Sequence, residues 1–180
     1  MLAQFKIMIL SIFMAGNTAV TEPSINMDNI ENIKEVACLS QAVHGEAGNQ
    51  SFEGKVAVAH VILNRARDEN FPDTPCAVIK QPGQFDFKPR KLYPEKNPAL
   101  QTQMEESIQA AVAAMNGNHP DPTKGALFFA NPKISTDQAW LKRLKKLVKI
   151  DEHVFYVRKN SPRYARSVEY KPQRVAMNSD

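Results

Sequence analysis

The 180-residue chain lacks most of the short motifs by which catalytic sites are identified. Its four histidines and two cysteines form neither an H-E-x-x-H pattern nor a paired C-x-x-C, which argues against the common zinc sites. A G-x-S-x-G nucleophile turn and a glycine-rich phosphate loop are also missing. "HGE" at 44–46 with "PC" at 75–76 matches only half of the zinc deaminase signature. We therefore expect no metal and no organic cofactor.

No apolar run is long enough to cross a bilayer comfortably. The run "IMILSIFMA" near the N-terminus follows a lysine and has the length of a signal-peptide core, and small residues follow it without a clear A-x-A cleavage site. We expect residues 1–19 to be a signal peptide or an uncleaved N-terminal anchor, with an ordinary buried helix as the alternative. The protein is then exported, to the periplasm or cell envelope. Residues 20–29, which are polar and contain a proline, are predicted to form a linker.

Length and composition predict one folded domain. A chain of 180 residues with 43% hydrophobic residues can bury one ordinary core. We place this domain at residues 30–160, followed by a basic C-terminal extension at 161–180, and we expect a monomer. The net charge of +4 suits a polyanionic partner without distinguishing nucleic acid from an anionic wall or membrane. The leader and the lack of a recognised binding module argue against nucleic acid.

The two cysteines, Cys38 and Cys76, lie in the part of the chain that would be exported. An oxidising compartment lets such a pair form a disulfide. Two buried free thiols would give the same sequence, so the residues alone leave both interpretations open.

Three segments have helical patterns. Apolar residues recur every three or four positions from Ile30 to Val43, which predicts a helix that ends near Glu46, between Gly45 and Gly48. The run "FEGKVAVAHVILNRA" is apolar nearly all round, as in a helix buried within a core. The stretch "PALQTQMEESIQAAVAAMNG" begins with a proline and ends with a glycine, and it is the clearest helix of the chain.

Two short aromatic and β-branched runs, "GALFFANP" and "HVFYVR", are predicted to pair as a small antiparallel sheet. Between them, residues from Trp140 to Ile150 alternate apolar and basic side chains in a way that predicts an amphipathic helix. Its cations would form either an ordinary solvated face or a surface attracted to an anionic wall or membrane. These cations are Lys142, Arg143, Lys145, Lys146 and Lys149.

Glu46 is the most informative single residue, because it is a lone carboxylate between two apolar runs. Apolar surroundings disfavour the ionised form of a carboxyl group, and a general acid for glycosidic cleavage must hold its proton near neutral pH. A glutamate at a helix end is more often simply solvated, so the residue alone does not decide its role.

Five pieces of sequence occur in order between about Val36 and Val157: "AVHGEA"; "EGKVAVAHVILNR"; "FPDTPCAVIKQPGQF"; "AAVAAMNGN" followed by "GALFFANP"; and "HVFY". Together they resemble the cell wall hydrolases of the spore-cortex-lytic, SleB-like type. Each piece is a weak signal, whereas the ordered set is specific. The resemblance implies an α+β, mainly α, lysozyme-like (lytic transglycosylase-like) fold with a small antiparallel β-element. It also implies cleavage of peptidoglycan glycan strands, commonly by lytic transglycosylation.

The resemblance also assigns roles to individual residues. Glu46 becomes the catalytic acid, and the cysteine pair resembles that of the exported Gram-negative branch of the family, which favours a disulfide. Candidates for lining the sugar groove are Gln84, Phe85, Asn131, His153 and Tyr156. Each has a structural alternative: core aromatics for Phe85 and Tyr156, a buried structural histidine for His153, and a turn residue before proline for Asn131.

One departure from the family pattern follows Glu46. Gly48, Asn49 and Gln50 stand where the family has arginine, glycine and glutamate, so a second carboxylate is replaced by an amide. We expect a changed groove with the chemistry retained, since transglycosylation needs one acid. Two other interpretations stay open. One is lysozyme-type hydrolysis with Asp86 or Glu53 as second carboxylate, and the other is a non-catalytic wall-binding protein with a degenerate site.

Overall fold

The computed structural model describes residues 30–85, 97–135 and 138–159, which form a helical bundle with one three-stranded sheet. The helices are α1 Ile30–Ala47, α2 Phe52–Ala66, α3 Pro75–Ile79, α4 Pro98–Met115 and α5 Gln138–Lys142. The strands are β1 Phe128–Ala130, β2 Leu144–Ile150 and β3 His153–Arg158. This arrangement confirms the mainly helical α+β fold with a small antiparallel sheet.

Several expectations concern residues outside the described part of the chain. They are the leader at 1–19, the linker at 20–29, Asp86 as a second carboxylate, and the basic extension at 161–180. Within the described residues, no helix combines the length and the apolar character that a bilayer-spanning segment requires.

The three long helices form where the sequence predicts them. In α1 the buried residues Ile33, Val36 and Leu39 recur every three or four positions, and the helix ends at Ala47, so Glu46 lies in its last turn as predicted. Helix α2 begins after Ser51, whose Oγ accepts a hydrogen bond from the Gly54 N–H at 3.1 Å. Every residue of α2 from position 54 to 65 is buried, so its all-round apolar pattern is explained.

Helix α4 has a start and a stop signal at the positions that the sequence indicates. Asn97 precedes it and accepts a hydrogen bond from the Ala99 N–H at 3.1 Å, while Pro98 occupies its first position, where its missing N–H costs no helical bond. Gly117 follows the helix with a φ of 70°, a left-handed conformation that glycine adopts without a Cβ penalty.

The largest apolar cluster lies where α1, α2 and α4 meet, and α3 closes it with Val78. Its members include Leu39 and Val43 from α1, Ile62 from α2 and Ala111 from α4. Because Val43 and Ala47 both belong to this cluster, the last turn of α1 is held in a fixed orientation, and Glu46 lies between these two anchored residues.

The sheet has the order β1-β3-β2, and both pairings are antiparallel, which confirms the predicted pairing of the two aromatic runs. Phe128 lies opposite Tyr156, and Phe129 lies opposite Phe155. Because successive side chains of a strand point to opposite faces, Phe155 packs inward against α2 while Tyr156 packs outward with Leu141 of α5.

The predicted basic helix over Trp140–Ile150 is wrong. Only Gln138–Lys142 is helical, and the chain then continues as β2, an edge strand paired with β3. The sequence pattern misleads because β2 contains a bulge between Lys146 and Val148. The bulge inserts Leu147 as an extra residue and interrupts the alternation of a regular strand. The spacing of three from Leu144 to Leu147 therefore imitates a helical period.

The predicted disulfide is confirmed: Cys38 of α1 is bonded to Cys76 of α3, with a Cα–Cα distance of 5.3 Å. The backbone N–H of Cys76 also donates a hydrogen bond of 2.7 Å to the carboxylate of Glu35 in α1. The two helices are thus joined by one covalent bond and one charge-assisted hydrogen bond.

Replacing both cysteines by serine (Cys38→Ser with Cys76→Ser) should lower the free energy of unfolding by about 4 kcal/mol, because the 38-residue separation constrains the unfolded chain. Denaturant unfolding followed by circular dichroism measures this change. The free energy of unfolding of the wild-type protein in the presence of a reductant should equal that of the double variant. A loss below about 1 kcal/mol would show that the bond constrains little.

A second prediction concerns His60, a buried residue of α2 whose Nε2 lies 2.9 Å from the carbonyl oxygen of His119. Burial lowers the pKa of His60 from its ordinary value of 6.5, although the Asp121 carboxylate opposes this shift. As the pH falls, His60 of the unfolded chain therefore binds a proton at a higher pH than His60 of the folded protein. The folded state should then lose stability as the pH falls below about 6.5.

Thermal unfolding at about pH 7.5 and about pH 5.5 measures the effect. In His60→Gln, whose amide can still donate to the His119 carbonyl, the fall in Tm between these two pH values should be smaller than in wild type. Equal falls in the two proteins would rule out a contribution from this imidazole.

Candidate active site

Glu46 is half-buried in the last turn of α1, and the chain turns away immediately after it. A Cβ built on Gly48 would lie 2.5 Å from the carbonyl oxygen of His44 and 3.3 Å from its Nδ1. Glycine at this position therefore lets the backbone pass close to the helix end, which a larger residue would prevent without rearrangement.

The guanidinium of Arg65 interacts electrostatically with Glu46. Arg65 is 5% exposed in the last turn of α2, and burial lowers its pKa from 12.5 to about 10, while the negative charge of Glu46 raises it. The group therefore keeps its positive charge at neutral pH. When the Glu46 carboxyl group is ionised, it and Arg65 interact as opposite charges.

The protein compensates the burial of Arg65 with hydrogen bonds and aromatic rings. Its Nε–H donates to the carbonyl oxygen of Leu127 at 2.7 Å, just before β1. Its Cζ lies 5.3 Å from the ring centroids of Phe71 and Phe85 and 5.5 Å from that of Phe128. Such cation–π contacts are favourable when the cation is desolvated.

Two of the predicted site residues, Gln84 and Phe85, reach Glu46 through this arginine. The Nη1–H of Arg65 donates a hydrogen bond of 3.1 Å to Oε1 of Gln84, and the ring of Phe85 forms one wall of the aromatic cage. Gln84 is exposed and Phe85 is half-buried against the main cluster. Glu46, Arg65, Gln84 and Phe85 thus form one group, which we call the acid group.

Asn131 and His153 form a second group at the other end of the sheet, together with Glu152, which we call the hairpin group. The Nδ2 of Asn131 donates to the carboxylate of Glu152 at 3.2 Å. His153 is buried and packs edge-on against Phe129, with ring centroids 5.1 Å apart. Burial lowers the pKa of His153, while the charges of Glu152 and Asp151 raise it, so the imidazole is neutral near pH 7.

Tyr156 lies on the opposite face of β3 from His153. It is 8% exposed among Phe128, Val154 and Leu141, and burial raises the pKa of its hydroxyl. The structure therefore brings Gln84 and Phe85 to Glu46, pairs His153 with Asn131 through the hairpin, and separates Tyr156 from His153.

The altered loop after Glu46 is attached to the turn between β2 and β3. Oε1 of Gln50 accepts a hydrogen bond from the Glu152 N–H at 3.3 Å. The Asp151 carboxylate accepts from the Ser51 N–H at 3.0 Å and from the Ser51 hydroxyl at 2.6 Å. Gly54 makes room for this carboxylate, because a Cβ there would collide with it. Gln50 therefore links the loop after the acid to the hairpin group.

The same loop is held from the other side by a buried lysine. Nζ of Lys55 donates to the carbonyl oxygen of Gln50 at 2.6 Å and forms an ion pair of 2.9 Å with Glu106 of α4. Lys55 is 1% exposed, so its charge is satisfied by these two partners. These hydrogen bonds fix the loop in place, and the side-chain amide of Gln50 makes one of them.

Three contributors to this site were not identified from the sequence: Arg65, Glu152 and the ring of Phe129. A signal existed for the first of them, because a cation inside an all-round apolar helix has to be paired when it is buried. For the other two no local pattern exists, since their partners are far away in sequence. Within the described ranges, no three His, Cys, Asp or Glu side chains are grouped so as to hold a metal ion.

Comparison with known proteins agrees with this architecture. The spore cortex-lytic enzyme of Oceanobacillus iheyensis is 33% identical over 142 residues, which cover 78% of this chain and 48% of that enzyme. The spore cortex-lytic enzyme of Bacillus subtilis is 33% identical over 131 residues, 72% of this chain and 40% of that enzyme. The chain thus spans about half the length, or less, of these curated relatives.

Two solved structures have a similar fold. The catalytic domain of the germination-specific lytic transglycosylase SleB from Bacillus anthracis matches with a TM-score of 0.56 and 28% identity, covering 77% of this chain and 100% of that one. The catalytic domain of Bacillus cereus SleB matches with a TM-score of 0.55 and 28% identity, covering 79% and 99%.

A family profile described as Cell Wall Hydrolase matches residues 49–156, which include Asn49 and Gln50 of the loop after Glu46, the acid group's other three members and the hairpin group. Glu46 itself lies just before the first matched residue. Because this match covers more than half of the chain, and the relatives and solved structures agree with it, the protein belongs to the cell wall hydrolase family.

Proposed function

We propose that this protein cleaves peptidoglycan glycan strands between N-acetylmuramic acid and N-acetylglucosamine by lytic transglycosylation, with Glu46 as the only acid and base. The observation that carries the proposal is the interaction of half-buried Glu46 with the buried guanidinium of Arg65, beside the exposed amide of Gln84. One of the similar structures is described as that of a lytic transglycosylase, which supports the same reaction here.

In this reaction one carboxyl group performs two proton transfers. Glu46 first donates its proton to the glycosidic oxygen as the bond from that oxygen to the anomeric carbon of N-acetylmuramic acid breaks. The resulting carboxylate then accepts the proton of the muramic acid 6-hydroxyl, whose oxygen bonds to the same anomeric carbon. The product ends in a 1,6-anhydro ring, Glu46 regains its proton, and no water is consumed.

The surroundings of Glu46 suit both halves of this cycle. The apolar cluster beside it favours the protonated acid that the first step needs. The positive charge of Arg65 favours the carboxylate that exists between the two steps. An acid that alternates between two charge states requires both the apolar cluster and the positive charge. A second carboxylate nearby would instead destabilise the ionised Glu46 that exists between the two steps.

The groove residues are proposed on the same basis. The exposed amide of Gln84 and the half-buried amide of Asn131 offer donors and acceptors for sugar hydroxyl and acetamido groups. Phe85 offers an aromatic face, and neutral His153 lies at the hairpin end. Tyr156 faces away from His153, so its contribution to the groove would be indirect, through its packing in the sheet. Substrate of this kind lies outside the cytoplasm, so we also propose export to the periplasm or cell envelope, as a monomer.

Hydrolysis is the second candidate, because the structure adds a carboxylate that the sequence did not indicate. Glu152 is held by Asn131 and lies next to His153. Glu53, by contrast, is exposed in the first turn of α2, where a negative charge interacts favourably with the helix dipole. If water attacks the anomeric carbon, Glu152 is the first described residue to test as its base.

The product of the reaction decides between these candidates. Purified protein acting on isolated peptidoglycan should release muropeptides that end in 1,6-anhydro-N-acetylmuramic acid, identified by mass spectrometry. Glu46→Gln keeps the shape of the side chain and removes the transferable proton, so it should abolish product formation. Glu69→Gln, at an exposed glutamate after α2, is the matched control and should retain activity.

Each other outcome has a definite meaning. Reducing sugar ends would identify a hydrolase, and Glu152→Gln should then reduce the rate. Binding to the wall without any cleavage, unchanged in Glu46→Gln, would identify a non-catalytic wall-binding protein. Full activity of Glu46→Gln would remove Glu46 from the mechanism.

A further prediction concerns Arg65 as a positioning residue. In Arg65→Met the Glu46 carboxylate loses its buried partner of opposite charge, so kcat should fall by about tenfold or more. The alkaline limb of the pH–rate profile should move to higher pH, because the protonated acid persists further. Arg65→Lys, which keeps the charge but loses the forked hydrogen bonds to Leu127 and Gln84, should leave that limb near its wild-type position.

Thermal unfolding of both Arg65 variants separates a catalytic effect from a loss of fold. A purely structural role would lower Tm and kcat in both variants without moving the pH–rate profile of the fraction that remains folded. That result would contradict the proposed interaction with Glu46.

A further inference from the structure

Positive charge is concentrated in the segment that contains β2 and β3. Residues 138–159 carry seven lysines and arginines and two acidic residues, a net charge of +5, while the whole chain carries +4. This segment therefore carries more net positive charge than the whole chain does. We call its cations the basic edge: Lys142, Arg143, Lys145, Lys146, Lys149, Arg158 and Lys159.

The two acidic residues of the segment do not neutralise the basic edge. Asp151 accepts hydrogen bonds from Ser51 at the start of α2, and Glu152 is bonded to Asn131 and lies 4.0 Å from Nζ of Lys133. Both carboxylates thus point at partners in other elements.

All members of the basic edge are exposed. Of its members, Lys142, Arg143, Lys146 and Lys149 are exposed and form no ion pair with any residue in the described ranges. Charges left in this state are available to an external anion.

The bulge arranges two of these lysines on one face. Lys146 lies opposite Tyr156 and Lys149 lies opposite Val154, and Tyr156 and Val154 share the outer face of β3. In a regular strand, residues three apart would point to opposite faces, so the extra residue at Leu147 is what aligns them. At the usual rise of a strand the two lysines are about 10 Å apart along it.

The surroundings of the basic edge favour an anionic polymer over a membrane. A membrane-binding surface inserts apolar side chains beside its cations. Within the described residues the large hydrophobic side chains that are exposed are Phe52 and Ile134, and neither belongs to β2 or β3. Separated single charges along an extended strand instead match a chain with separated single anions.

We propose that the basic edge binds the carboxylates of peptidoglycan stem peptides, and so holds the glycan strand that the acid group cleaves. This inference rests on the proposed function. Stem peptides project at intervals from a glycan strand and carry carboxylates on their side chains and ends. Each contact is weak because it is exposed, about 0.2–1 kcal/mol, and several together retain the enzyme on its substrate.

Binding is measured with the full chain carrying Glu46→Gln, so that the wall stays intact during co-sedimentation. The test variant adds Lys146→Gln and Lys149→Gln. The matched control adds Arg67→Gln and Lys124→Gln, which remove two exposed cations from elsewhere on the surface. A third variant, Lys146→Arg with Lys149→Arg, keeps the charge. Each is tested by co-sedimentation with purified peptidoglycan and by binding to immobilised glycan strands whose stem peptides an amidase has removed.

The expected result is a loss of affinity of about 2- to 30-fold in the test variant, with a shallower salt dependence, and little change in the control and arginine variants. The loss should disappear on strands without stem peptides. An unchanged affinity, or an equal loss on bare strands, would overturn the proposal. So would a loss seen only with anionic phospholipid vesicles, which would identify a membrane surface.

Failure here would be distinguishable from failure of the proposed function. Anhydro products released from bare glycan strands by the protein with an intact Glu46 depend on the acid group and not on stem peptides. Their formation together with unchanged binding of the test variant would leave the reaction in place and remove the basic edge from substrate binding.

Discussion

The guanidinium of Arg65 is removed from water at the point where helix α2 meets the sheet, and much of the site is arranged around it. An unpaired buried charge costs several kcal/mol, so the surrounding segments have to supply partners. Leu127 supplies a carbonyl oxygen, Gln84 supplies an amide oxygen, and three phenylalanine rings enclose the cation. Segments far apart in sequence are thereby drawn to one place, beside Glu46.

A second set of contacts connects the helical part of the protein to the sheet. The loop after Glu46 contains Gln50, whose side-chain amide oxygen accepts a backbone hydrogen bond from the hairpin. Asp151 of that hairpin also accepts two hydrogen bonds from Ser51, at the start of α2. A third carboxylate at position 50 would lie close to those of Asp151 and Glu152. An amide at position 50 is therefore compatible with the local electrostatics.

The sequence was sufficient for those features that depend on local patterns. The periodicity of α1, the proline and glycine at the ends of α4, and the two paired aromatic runs all predicted the observed elements. It was insufficient where an irregularity or a distant contact decides. The bulge at Leu147 made a strand resemble a helix, and the partners of Arg65 and Gln50 are separated from them by up to 102 positions along the chain. Family resemblance supplied Glu46 and Gln84, while only the folded chain reveals how Arg65 joins them.

The bulge in β2 also bears on how the protein behaves at high concentration. An edge strand exposes unpaired backbone groups that can add a strand from a second molecule and so begin aggregation. A bulge breaks the regular spacing of those groups, and exposed lysines repel an identical edge that approaches them. In the described part of the chain the sheet has three strands, and self-association through its β2 edge is opposed by both geometry and charge.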